Sequence, residues 1–260
     1  MRSDTVNEVM EGHAEASLLA ERSLQIRGGL HFARIQGEGV VLDLVQDRYL
    51  GLFALGAAIW QALASGHSRE QAVRTLVSGH ELSPPEAEAA VDEELASWME
   101  SRLLIPDDET DASSSSLRAK PPGVPTSEGV SVEESGHFGL ISILRLLRAR
   151  FWAGRWLRRG RPDQVLAELA SDTCFAATMV PSAGRTVAAY RWMRKLLARE
   201  DDCLVRTVTL ARALQTQGIP CDICFGARKV PFFAHSWVEI GGRSVDSPRA
   251  LARLTVVARF

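Results

Sequence analysis

Four cysteines in 260 residues are too few to hold a chain of this size together through disulfides. No apolar run approaches the roughly 18 residues that cross a bilayer. The opening stretch, MRSDTVNEVMEGHAEASLLAERS, is acidic and lacks the basic-then-apolar order of a secretory signal, so a cytoplasmic protein is expected. No glycine loop suits a phosphate; GEG and GLFALG are too loose. Zinc-finger spacing, an RNA-recognition signature and a basic recognition helix are all missing, which argues against a nucleic-acid partner. No metal and no cofactor is expected.

What is present is an ordinary soluble composition, 46% hydrophobic and 24% charged, in a chain long enough for two domains. Charge is divided unevenly. Residues 1–136 hold 10 Lys+Arg against 23 Asp+Glu, a net of −13, and residues 137–260 hold 20 against 9, a net of +11. The switch falls at PDDETDASSSSLRAKPPGVPTSEGVSVEESG, residues 106–136, which is Ser/Pro/Gly-rich and almost without large apolar side chains. Such a stretch cannot bury enough surface to fold alone and reads as a flexible linker. The predicted division is an N-terminal extension over 1–23, a first domain over 24–105, the linker, and a second domain over 137–260.

The first domain opens with three strand patterns, HFARIQ, GVVLDLV and RYLGL. Three helices follow. FALGAAIWQALASG ends at Gly66, a favourable residue just past a helix end. SREQAVRTLVS opens with a capping box, Ser68 to Gln71, and SPPEAEAAVDEELASWMESRLL with another, Ser83 to Glu86. Val91, Leu95, Trp98 and Leu103 keep an apolar stripe through the last of these. The order is β-β-β-α-α-α. A sheet with helices on one side leaves an open edge, and an unpaired edge accepts one more strand.

That order, with VVLDLVQDRYLGLFALGAAIWQAL and a terminal LLIP, resembles the peptide-recognition element related to the pyrroloquinoline-quinone D family. These are small winged-helix-like domains used in making modified ribosomal peptides. The resemblance implies that a leader peptide adds to the third strand at Tyr49, Leu50, Gly51, Leu52 and Phe53, with apolar side chains entering a groove against the third helix. Plain core packing of Tyr49, Leu52, Phe53 and Trp98 is the competing reading.

The second domain begins with HFGLISILRLLRARFWAGRWLRRG. Apolar residues at 140, 144, 147 and 151 define one helical face, and six arginines occupy much of the rest. The expectation is a core helix whose arginine stems cover neighbouring apolar surface, with no membrane partner. TVAAYRWMRKLLARE reads as a further helix. In REDDCLVRTVTLARALQTQGIP, Asp201 or Asp202 can cap a helix that starts at Cys203. Leu204, Thr207, Val208, Ala211 and Leu214 fall on one stripe, and Gly218 with Pro220 ends it. A thiol at a helix N-terminus meets unpaired N–H groups that favour its thiolate.

The partner for that thiol lies in HSWVEIGGRSVDSP. His235, Trp237 and Glu239 share one strand face. The glycine pair signals a two-residue hairpin, which pairs Ile240 with Arg243 and Glu239 with Ser244. Asp246 then falls opposite Trp237 and diagonal to His235, roughly 7 Å away at the backbone and within reach of the ring. Glu239 is the rival carboxylate, but four residues along the strand is about 13 Å. The remaining candidates compete poorly. In CDIC, Cys221 and Cys224 point to opposite faces of an apparent strand, and Cys174 has no chemical context. His31, His67 and His80 lack partner carboxylates or thiols and read as solvated.

The order Cys203, His235, Asp246 is that of papain-like cysteine enzymes. DDCLVRTVTLARALQTQGIPCDICFGARKVPFFAHSWVEIGGRSVDSP resembles the transglutaminase-like cysteine protease of lasso-peptide biosynthesis, the B protein, in the form that fuses recognition and protease domains. One departure is HSW where HAW is commoner. The expected fold class is therefore α+β, a winged-helix-like domain joined to a papain/transglutaminase-like protease. The resemblance implies hydrolysis after a lasso precursor's leader, whose penultimate residue is usually threonine. The freed core then passes to a separate ATP-dependent macrolactam synthetase. Two alternatives stay open: acyl transfer by the same triad, and a non-catalytic adaptor that presents the leader to the synthetase.

Overall fold

The computed structural model describes residues 24–107, 139–159, 162–171, 180–196, 203–247 and 251–260. The N-terminal extension, nearly all of the expected linker, Cys174 and the candidate caps Asp201 and Asp202 lie outside these residues. The described residues fall into two compact units. One holds 24–30, 36–39 and 51–107; the other holds 31–35, 40–50 and the described residues from 139 to 260.

The chain opens with β1 (Leu24–Ile26), then β2 (Leu30–Ile35), β3 (Glu38–Asp43) and β4 (Arg48–Leu52), followed by α1 (Ala54–Ala64), α2 (Arg69–Gly79), α3 (Pro84–Glu100) and β5 (Leu104–Pro106). The three expected strands form a sheet in the order β2-β3-β4, which leaves β4 at an edge. Asp43, fully buried, holds the turn into β4 by accepting from the backbone N–H groups of Val45 and Gln46, both at 3.1 Å, and from Arg48 Nε at 3.3 Å. Sequence patterning missed one pairing: β1 runs antiparallel to β5, Leu24 opposite Pro106.

The helix signals are read correctly. At α2 the Ser68 N–H donates to Gln71 Oε1 at 2.7 Å, and the Gln71 N–H donates to Ser68 Oγ. At α3 the Ser83 N–H donates to Glu86 Oε2 at 2.9 Å. Gly66 takes φ +79° just after α1, the left-handed conformation that suits a glycine there. Val91, Leu95, Trp98 and Leu103 are all buried, and Trp98 meets Trp60 edge-to-face with ring centroids 5.1 Å apart.

The second half contributes α4 (Leu140–Leu157), α5 (Pro162–Ser171), α6 (Val180–Leu196) and α7 (Cys203–Gln215). These are followed by β6 (Asp222–Arg228), β7 (Phe233–Ile240), β8 (Arg243–Ser244) and β9 (Thr255–Arg259). The four strands make an antiparallel sheet in the order β8-β7-β6-β9, against which the α7 stripe packs. The architecture is α+β, as expected. Among the described residues no helix is long and apolar enough to cross a membrane.

Two expectations fail. His31 is not solvated: its ring lies edge-on to Phe260 at 5.0 Å, its Nε2 is buried without a hydrogen-bond partner, and burial lowers its pKa to about 4. A strand-end histidine with no polar neighbour in sequence gives no hint that a distant C-terminal aromatic will cover it. The helix α4 enters the core by the face opposite the one its apolar residues mark. Ser142, Leu146, Ala149 and Ala153 are buried, whereas Leu140, Leu144, Leu147 and Phe151 are exposed. Small side chains let the helix approach its neighbours closely, and that outweighs the greater apolar area of the other face.

Candidate active site

Cys203 is the first residue of α7, where the backbone N–H groups of the first turn have no intrahelical partners. The helix is fixed by its buried stripe, with Thr207, Val208, Ala211 and Leu214 in the core and Leu204 half-buried against it. Gly218 at φ +69° closes the helix, and the Ile219 N–H returns to the Leu214 carbonyl at 3.1 Å. One turn beyond the cysteine, Thr207 Oγ1 donates to the Ser236 carbonyl at 2.9 Å and lies 3.1 Å from the Ser236 hydroxyl. That buried link ties α7 to β7 at the residue next to His235, so the helix cannot slide against the strand without breaking it.

The hairpin has the expected register. Ile240 pairs with Arg243 and Glu239 with Ser244, and the Val245 N–H donates to the Val238 carbonyl at 2.9 Å. Gly241 and Gly242 take φ of +58° and +77°, the left-handed values a two-residue hairpin loop demands. Asp246 accordingly meets His235: Oδ2 lies 3.0 Å from Nε2. This leaves Nδ1 of the ring for the thiol. Glu239, the rival carboxylate, is committed elsewhere. It accepts from Trp237 Nε1 at 3.0 Å and pairs with Arg259 at 2.7 Å, fully buried.

The ring of His235 is sandwiched. Phe233 stacks on it at 6.0 Å and 25°, and Trp237 lies near-parallel to it at 6.4 Å and 17°. Trp237 has room because residue 226, directly across from His235, is glycine. A Cβ there would lie 2.8 Å from the indole and 3.0 Å from the Thr255 carbonyl.

Sequence reasoning missed Arg194. Its Nη1 lies 2.8 Å from Asp246 Oδ1, so the carboxylate is gripped at both oxygens, by His235 on one side and α6 on the other. The Asp246 N–H also donates to Ser244 Oγ at 3.0 Å. No local spacing signals an arginine 52 residues upstream.

The electrostatics favour an ion pair. Burial opposes ionisation of Cys203, but hydrogen bonds with His235 and Ser236 and the imidazolium charge outweigh it, and the thiol pKa falls below its ordinary value. Burial likewise opposes a charge on His235, yet Asp246 and Cys203 raise its pKa to about 9. Asp246 is buried too, and His235 with Arg194 still lowers its pKa. Each member of the pair therefore favours the charged form of the other, and the thiolate is the form in which a cysteine attacks.

The other expectations fall as follows. Cys221 is half-buried, and Cys224 is deeply buried, where burial pushes its pKa well above the ordinary range. No group of three or more His, Cys, Asp or Glu is arranged to hold a metal among the described residues. His67 is exposed and His80 half-buried. On the expected leader-binding strand, Leu52 is buried and Phe53 is 79% exposed, while Tyr49 and Leu50 are half-buried and Gly51 is open to solvent.

Comparison with known proteins finds two family matches along the chain. Residues 143–259 match the transglutaminase-like superfamily, and residues 38–104 match coenzyme PQQ synthesis protein D. The microcin J25-processing protein McjB of Escherichia coli is 38% identical over 62 residues, 24% of this chain. The match spans 30% of that relative's length. A solved structure, TbiB1 in complex with the TbiA(beta) leader peptide, is 29% identical and covers 31% of this chain and 93% of its own, with a TM-score of 0.30.

Proposed function

Starting from a chain that joins a PqqD-type domain to a transglutaminase-like domain, the order of fused lasso-peptide B proteins, we propose that it is a leader peptidase. It removes the leader from a lasso precursor by nucleophilic catalysis at Cys203. The observation that carries this reading is the Cys203–His235–Asp246 set, with the thiol at a helix start and the imidazole held to the carboxylate at 3.0 Å.

The chemistry runs in two halves. The Cys203 thiolate attacks the carbonyl carbon of the leader's last residue, and the charge moves onto the carbonyl oxygen. The Cys203 backbone N–H, unpaired at the helix start, serves as one donor to that oxyanion. As the tetrahedral species collapses, His235 gives its proton to the departing amine, which becomes the core peptide's N-terminus. The neutral ring then takes a proton from water, the hydroxide attacks the thioester, and the leader leaves as a carboxylate. Asp246 orients the ring and stabilises its cation throughout. The leader docks along the open edge of β4 at Tyr49–Phe53, and once it is docked the scissile bond meets the site at millimolar-scale effective concentration.

The test is to incubate the chain with a candidate lasso precursor and to weigh the products. Loss of the leader's mass supports hydrolysis. A crosslinked mass supports acyl transfer, and unchanged mass supports an adaptor. Cys203→Ala should abolish cutting and leave precursor binding intact; cleavage that survives it contradicts the assignment.

A further inference from the structure

Among the described residues, the outward face of α4 is an exposed apolar surface that the candidate site does not explain. Leu140, Ile141, Leu144, Leu147 and Phe151 are 79, 66, 59, 47 and 71% exposed. Spaced as i, i+4, i+7 and i+11 with Ile141 beside them, they form one continuous row along three turns. Contiguous exposed apolar surface on this scale marks a binding face rather than chance.

The composition around the row says what it binds. Every exposed residue from 140 to 159 is leucine, isoleucine, phenylalanine or arginine. The six arginines of the segment are unaccompanied by any acidic residue. Trp152 and Trp156 lie half-buried at the margin, with the Arg212 guanidinium over one ring at 4.7 Å and the Arg159 guanidinium over the other at 5.2 Å. Two grooves flank the ridge of Leu147 and Phe151, of about 570 and 740 Å³. The first carries Arg150 and Arg158 beside apolar walls, the second Arg145, Arg148 and Arg212. Apolar floors with cationic rims are what acyl chains and phosphate headgroups require together.

A second copy of the chain is a poor occupant, because symmetric pairing through this face would set its arginines against their counterparts. A folded protein partner would need acid at every edge of its own apolar patch to meet the arginines that border this row. A bilayer with anionic headgroups meets both demands at once.

We propose that α4 is a membrane-surface helix: Leu140, Ile141, Leu144, Leu147 and Phe151 enter the headgroup–acyl boundary of an anionic bilayer while the flanking arginines hold lipid phosphates. The buried face of Ser142, Leu146, Ala149 and Ala153 stays in the domain core, so the helix need not detach to bind. The inference does not depend on the peptidase reading.

Flotation of the full chain with vesicles tests it. Vesicles of phosphatidylcholine mixed with phosphatidylglycerol should carry the protein at least about tenfold better than phosphatidylcholine alone, and high salt should weaken the association. Leu144→Asp with Phe151→Asp should release the protein, and Arg148→Glu with Arg155→Glu should remove the preference for phosphatidylglycerol, both with unchanged circular dichroism. Failure to float with the anionic vesicles overturns the proposal, as does flotation undiminished in both double variants. A concentration-dependent dimer in vesicle-free solution that Leu144→Asp with Phe151→Asp dissolves would overturn it too, by giving the face to a second copy.

Discussion

The helices α4 and α7 belong to the same domain, and each carries an apolar stripe at helical spacing. The stripe of α7 is buried; that of α4 faces solvent. The difference lies on the reverse sides of the two helices. Behind the α4 stripe are Ser142, Ala149 and Ala153, small enough for close packing, and the core takes that side. Most of α7 beyond its first turn is buried, since it packs against both the sheet and other helices. Periodicity identifies an apolar face, but what covers it is decided by which face admits the closest neighbour.

The sharpest contrast is catalytic. His235→Ala leaves the thiol at the head of α7 without its base, and precursor cleavage should fall by at least about a thousandfold in single-turnover assays. No substitution on the exposed face of α4 should approach that effect with soluble substrate; one that did would mean α4 serves the site directly.

Next in size is packing. Leu214→Ala in the α7 stripe should cost about 2–5 kcal/mol in urea unfolding, whereas Leu147→Ala on α4 should stay within about 0.5 kcal/mol. Equal costs would show that the α4 row is covered in solution. Gly226→Ala should cost about 1–3 kcal/mol, because its Cβ would press into Trp237. It should also slow cleavage, since that indole underlies His235. A neutral outcome would show that the indole has space to move. The smallest effect is expected at Arg194. Its grip on Asp246 is half exposed, so Arg194→Gln should lower activity no more than about fivefold and move the basic limb of the pH profile down from about 9. The direction follows because a less firmly held carboxylate stabilises the imidazolium less.

Much of the site was legible because it is built from short-range rules. A two-glycine loop fixes register, register fixes which side chains share a face, and the sequence alone therefore sets Asp246 beside His235. The capping boxes at Ser68 and Ser83 and the stripe from Val91 to Leu103 were legible for the same reason. What escaped depends on distant segments: Arg194 arriving from α6, Phe260 folding over His31, and β5 returning to pair with β1. The outward face of α4 was visible as a pattern, but its orientation was not, since a core face and an interface look alike in one dimension.

The ion pair at the head of α7 is open to direct titration. Alkylation of the native chain by iodoacetamide, followed residue by residue by mass spectrometry across pH, should show Cys203 reacting well below the pH at which Cys221 reacts. In His235→Ala the Cys203 profile should move to higher pH, as the hydrogen bond and charge that favour the thiolate are lost. A Cys203 that reacts no earlier than Cys221, or whose profile is unmoved by His235→Ala, would contradict the account.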